Sequence, residues 1–126
     1  MSIGIEIEGL AELRAALEAA DSTLTRSLDE AVADAGELVA GRVRQIAPRR
    51  SGRMRDSTRA FTEGGTVGGV EVTARRVSAR YPGGFAYPRR VDQRTGFMGR
   101  AVADESTRVM ARFEEVLDDI SRAWGG

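Results

Sequence analysis

Apolar and polar residues alternate at the start of the chain. Ile3, Ile5 and Ile7 stand between Gly4, Glu6 and Glu8, a period of two that turns one face of a short strand into a core. From Leu10 the spacing changes to threes and fours, through Leu10, Leu13, Leu17, Leu24, Leu28, Val32, Ala35, Val39, Val43 and Ile46, with charged residues between. That period predicts one long helix or two in line. Asp21, Ser22 and Thr23 are good N-cap types, so a break is expected near position 21. Gly36 and Gly41 each cost about 1 kcal/mol relative to Ala inside a helix and are expected to mark close backbone packing. Pro48 should end the helix, because the residue before a proline is pushed out of the α region.

Residues 48 to 55 read as an Arg-rich loop. Asp56 to Thr62 and Val67 to Ala74 read as two strands joined across Glu63-Gly64-Gly65-Thr66, with Val70 and Val72 forming a buried face. Residues 75 to 96 show little periodicity and read as a long loop with a short strand near Phe85 to Arg90. Loops of that length in small domains are commonly functional. The last segment returns to helical spacing, with Val102, Val109, Phe113, Val116, Leu117, Ile120 and Trp124 assigned to the buried side. This order of strand, long helix, hairpin, loop and helix predicts an α+β fold: a small antiparallel sheet packed with a long N-terminal helix and a long C-terminal helix.

The chain has 126 residues, the length of one domain, and no Cys or His. A disulfide framework, a thiolate nucleophile and the usual nitrogen and sulfur ligands for zinc are therefore excluded. All 19 basic residues are Arg, so a lysine nucleophile is excluded as well. Most carboxylates fall on helix faces, where a solvated surface explains them. The densest groups, Glu114-Glu115 and Asp118-Asp119, lack a calcium-loop pattern. Gly64-Gly65 and Gly68-Gly69 lack the Lys and the strand-to-helix context of a phosphate loop. No enzyme, cofactor or metal site is expected. The apolar runs are far shorter than the roughly 20 residues of a membrane span, and the first residues do not resemble a signal peptide, so a soluble protein made in a cytoplasm is expected.

Charge is segregated along the sequence. Residues 1 to 37 hold nine acidic residues and two Arg, residues 38 to 100 hold fourteen Arg and four acidic residues, and residues 101 to 126 hold six acidic residues and three Arg. Such blocks can pair within a subunit, pair between subunits, or offer a basic face to nucleic acid. The cluster Arg42, Arg44, Arg49, Arg50, Arg53, Arg55 and Arg59 suits phosphate. It has no helix-turn-helix or zinc motif beside it and no interleaved aromatic residues for base stacking, which argues against sequence-specific DNA binding.

The stretch Ala47-Pro48-Arg49-Arg50-Ser51-Gly52-Arg53-Met54-Arg55-Asp56-Ser57 resembles a signature of tailed-phage virion proteins. It is similar to the Ala-Pro-x-x-(Thr or Ser)-Gly-x-Leu-Arg-x-Ser turn of the head-to-tail joining, tail completion or minor tail components of siphophages, where the turn follows a long helix and opens a strand. Ile7-Glu8-Gly9-Leu10-Ala11-Glu12-Leu13 resembles the family's strand-to-helix entry, and Gly96-Phe97-Met98-Gly99-Arg100-Ala101 its entry to the last helix. Between them, where many members carry Tyr-Ala and then Glu-x-Gly-Thr, this chain has Tyr81-Pro82-Gly83-Gly84-Phe85-Ala86-Tyr87-Pro88-Arg89-Arg90.

The motif positions have physical readings: Pro48 stops the helix, Gly52 takes a backbone that other residues resist, and Met54 plugs the core as Leu would. Ser51 and Phe97 are further structural positions of the resemblance. The resemblance implies a virion structural protein assembled in the host cytoplasm. Its copies would form a ring, expected to be a hexamer, in the neck between the head connector and the tail proteins, with the genome passing through the lumen without sequence-specific binding. No membrane is involved. Arg49, Arg50, Arg53 and Arg55, with Tyr81, Tyr87, Arg89 and Arg90 of the 75 to 96 segment, are expected to contact neighbouring subunits or proteins. A tail terminator capping the tube is the alternative within this class, and a small DNA-binding regulator the alternative outside it.

Overall fold

The computed structural model describes residues 1–5, 9–48, 52–64, 67–76 and 85–124, and the fold is α+β. Strand β1 (Ser2–Ile5) is followed by helices α1 (Leu10–Ala20) and α2 (Ser22–Ile46), then by a one-turn helix α3 (Arg53–Ser57) and the hairpin strands β2 (Thr58–Glu63) and β3 (Val67–Val72). Two short strands, β4 (Arg75–Arg76) and β5 (Phe85–Ala86), precede helices α4 (Pro88–Thr95) and α5 (Phe97–Trp124).

The break near position 21 is present, and one residue makes it. Asp21 has extended backbone, ends α1 by donating its N–H to the Leu17 carbonyl, and starts α2 by accepting the Thr23 and Leu24 N–H groups on Oδ1. The two helices form a hairpin closed by Arg14, whose guanidinium makes two bonds to the Asp29 carboxylate, at 2.9 and 3.2 Å, and a further bond to Glu18. Bonding to Asp29 holds the Arg14 guanidinium above its ordinary pKa, firmly protonated. At the other end α2 stops at Ile46, and Ala47 takes a ψ of 134°, as a residue before proline must.

The main sheet has the order β1-β3-β2, antiparallel throughout, with Ile3 opposite Val70 and Ala60 also opposite Val70. Val70 and Val72 are fully buried on the face that meets α2. Helix α2 is the centre of the molecule, because it contacts the sheet on one side and α5 on another. Its buried set is accordingly broad: Leu24, Leu28, Ala31, Val32, Ala35, Gly36, Val39, Ala40 and Val43. The approach to the sheet is backbone on backbone. A Cβ on Gly68 would fall 2.4 Å from the Val32 carbonyl oxygen, and one on Gly36 would fall 3.1 Å from the Gly69 oxygen. Gly36 therefore marks the expected close packing, whereas a Cβ on Gly41 would meet nothing within 4 Å. On the opposite face of the sheet Gly69 leaves room for the Phe61 ring, its partner on β2.

Helices α2 and α5 are antiparallel, and two ion pairs fix their register. Arg42 reaches Asp104 at 2.9 Å and Arg112 reaches Asp34 at 2.8 Å, positions eight residues apart on each helix. The charge blocks of the sequence thus pair partly within the chain, the basic middle with the acidic C-terminal segment and an Arg of that segment with the acidic N-terminal one. These pairs lie near the surface and stabilise by about 0.2–1 kcal/mol each. The larger stabilisation comes from the apolar seam of α5, where Val109, Phe113, Val116 and Ile120 are buried at spacings of three and four.

Four further expectations need correction. Residues 53 to 57, read as the end of a loop and the start of a strand, form α3, because Gly52 turns the chain and Met54 must point inward. The long loop of residues 75 to 96 is partly structured, with β4 and β5 paired and α4 running to Thr95, while residues 77–84 lie outside the described part. The strand expected near Phe85 to Arg90 spans only Phe85–Ala86, since Pro88 begins a helix. Leu117 is 51% exposed rather than buried, at the edge of the seam formed by Phe113, Val116 and Ile120.

Candidate functional site

The turn between α2 and β2 is built from the residues that carry the family resemblance. Ala47 is buried where α2 ends, and its N–H reaches back to the Val43 carbonyl at 2.8 Å. Pro48 follows, exposed. Gly52 has a φ of 76°, a left-handed conformation that costs an L-residue with a Cβ about 1–2 kcal/mol. Its carbonyl accepts the Asp56 N–H at 2.9 Å and so closes the turn of α3. That turn places Met54 in the core at 3% exposure. The expectations for Pro48, Gly52 and Met54 match this geometry. Arg49, Arg50 and Ser51 lie outside the described residues.

Polar contacts that tie α3 and α2 to the sheet were not anticipated. The Thr58 hydroxyl, fully buried, donates to the Met54 carbonyl at 2.6 Å. The Ser57 hydroxyl donates to the same carbonyl at 3.2 Å and accepts the Thr73 N–H at 3.3 Å, bridging α3 to the residue after β3. Arg44 donates to the Thr58 carbonyl at 3.0 Å and stands 4.0 Å from Glu37. Hydroxyl residues immediately after an apolar plug were the available signal, since such side chains commonly bond backbone at helix ends.

The candidate contact residues separate into different environments. Arg53 and Arg55 are exposed on α3, and Arg55 pairs with Asp56 at 3.2 Å. Tyr87 is half-buried against the core at the start of α4, Arg89 is exposed on α4, and Arg90 belongs to α4. Tyr81 lies outside the described residues. Of the basic cluster weighed for nucleic acid, Arg42 and Arg44 are engaged within the chain, and Arg59 is exposed on β2. Phe97 is completely buried at the first position of α5.

Hydrogen bonds hold the corner between α4 and α5. Gly96 takes a φ of 63° and its N–H meets the Asp92 carbonyl at 2.6 Å, while the Asp92 carboxylate accepts the Met98 N–H at 3.0 Å and so caps α5. Pro88 at the start and Gly96 just past the end are the sequence signals that would have revealed α4. Arg94 and Arg100 flank this corner and are exposed, and Arg89 is exposed near the start of α4. None of these three makes an ion pair with a described residue.

Among the described residues, no group of three or more acidic side chains gathers as a metal site, and no helix is long and apolar enough to cross a membrane. Gly68 and Gly69 serve the packing of α2 and Phe61. Comparison with family models, with curated proteins and with solved structures finds no match.

Proposed function

We propose that this chain is a structural protein of a tailed-phage virion, whose copies form a ring in the neck that joins the head connector to the tail tube. The observation that supports the reading is the turn from Ala47 to Ser57. Residues at the positions of the phage signature have structural roles there: a helix stop before Pro48, a left-handed Gly52, a bridging Ser57, and a buried Met54 where the signature has Leu. Each role is structural, and the turn presents Arg53 and Arg55 outward from a fixed base. Such a protein acts by contact, without catalysis or cofactor, and the genome passes through its lumen without being read. Closed rings are built from heterologous contacts, so each copy carries two different complementary surfaces.

The test is a phage from which the chain is deleted. The reading predicts filled heads and tails of normal length that stay separate and join when purified chain is added. Overlong tubes would assign the chain to the tail end as a terminator. Unchanged yields of infectious particles would sink the reading.

A further inference from the structure

Two large hydrophobic side chains stand exposed on the described surface, Met110 at 49% and Leu117 at 51%. They lie seven residues apart on α5, on one side of the helix. Glu114 and Asp118 share that side, are exposed, and make no ion pair with any described residue. The second half of α5 therefore offers an apolar pair framed by free carboxylates. Near the other end of α5 stands Arg100, with Arg94 two residues before the α4–α5 corner and Arg89 near the start of α4, all exposed.

These two surfaces cannot satisfy each other within one molecule. Arg100 and Asp118 are eighteen residues apart on one continuous helix, about 27 Å along its axis, several times the roughly 8 Å screening length at physiological salt. A second copy displaced along the helix can satisfy both. We infer that the acidic-apolar half of α5, centred on Met110, Glu114, Leu117 and Asp118, docks against the basic α4–α5 corner of another copy, at Arg94 and Arg100. This inference rests on the ring reading and supplies the two unlike surfaces that a heterologous contact needs. Nucleic acid fits poorly, because the carboxylates beside Met110 and Leu117 would repel it. The corner meets its partner already formed, since Asp92 and Gly96 hold it within the chain.

The test uses the full-length chain and its particle mass, measured by light scattering at low and at physiological salt. The wild type should form particles of more than two copies, weakened by salt. Glu114→Arg with Asp118→Arg should leave monomers, and so should Arg94→Glu with Arg100→Glu, each with an unchanged circular dichroism spectrum. An equimolar mixture of the two variants should recover the large particles, because each then meets a complementary surface in the other. Met110→Ser with Leu117→Ser should weaken assembly by about tenfold or more. Wild-type chain that stays monomeric at all concentrations and salts would overturn the inference, and particles of only two copies would overturn its heterologous form, because an antiparallel α5–α5 pairing satisfies both contacts at once. Large particles indifferent to all three double variants would overturn it while leaving the ring reading standing, and the deletion phage tests that reading separately.

Discussion

Three glycines measure how α2 sits on the sheet. At Gly68 an added Cβ would lie 2.4 Å from the Val32 carbonyl oxygen, against the 3.4 Å at which ordinary contact begins, so helix and strand would have to part by about 1 Å. Both partners are backbone, and no side chain can rotate to relieve the clash. Overpacking of this kind costs about 1–3 kcal/mol, and the upper end applies to Gly68→Ala. At Gly41 a Cβ meets nothing within 4 Å, so Gly41→Ala should return the helix-propensity difference and stabilise by about 0.5–1 kcal/mol. Gly36→Ala falls between, because the same gain is offset by a 3.1 Å approach to the Gly69 oxygen, for a net change within about 1 kcal/mol.

A domain of this size is stable by about 5–15 kcal/mol, so all three variants stay folded and can be compared. Urea unfolding at a concentration where the chain is monomeric gives the differences from midpoints at constant slope. The predicted gap between Gly41→Ala and Gly68→Ala is about 3–4 kcal/mol, or about 10–15 °C in Tm. A Gly68→Ala protein within about 0.5 kcal/mol of wild type would refute the backbone-on-backbone contact, and with it the placement of α2.

Further predictions concern the turns and the register. Gly52→Ala should cost about 1–2 kcal/mol for the left-handed backbone, and Met54→Ala about 2–5 kcal/mol for the emptied core site, both read as lost urea midpoint. Asp21→Ala should cost about 1 kcal/mol by removing the cap of α2, with most of the loss recovered by Asp21→Asn or Asp21→Ser. Double-mutant cycles on Arg42 with Asp104 and on Arg112 with Asp34 should each give about 0.2–1 kcal/mol, falling at 1 M salt. A zero coupling in both would contradict the antiparallel register of α2 and α5.

The elements legible in the sequence were those with repeated apolar spacing. The alternation around Ile3 and Ile5 marked β1, the Leu and Val spacing marked α1, α2 and α5, and Asp21 and Pro48 marked where helices begin and stop. Helices α3 and α4 were hidden because each is short, anchored by Met54 in one and by Pro88 and Val91 in the other, so no period can be counted. Their signals were punctuation instead: Gly52 before α3, and Pro88 and Gly96 around α4. Leu117 misled because it stands four residues after buried Phe113 and three before buried Ile120, yet lies at the edge of that seam. Composition could name the arginines but not divide them. Only the fold separates Arg42 and Arg44, which are spent on internal bonds, from Arg94 and Arg100 at an exposed corner.

The most direct measurement of the central claim is electron microscopy of the purified virion at the junction of head and tail. The account predicts a closed ring of density into which copies of this α+β domain fit, with α5 of each copy against the α4–α5 corner of the next. A junction whose density is filled by other proteins, in particles that lack this chain, would contradict it.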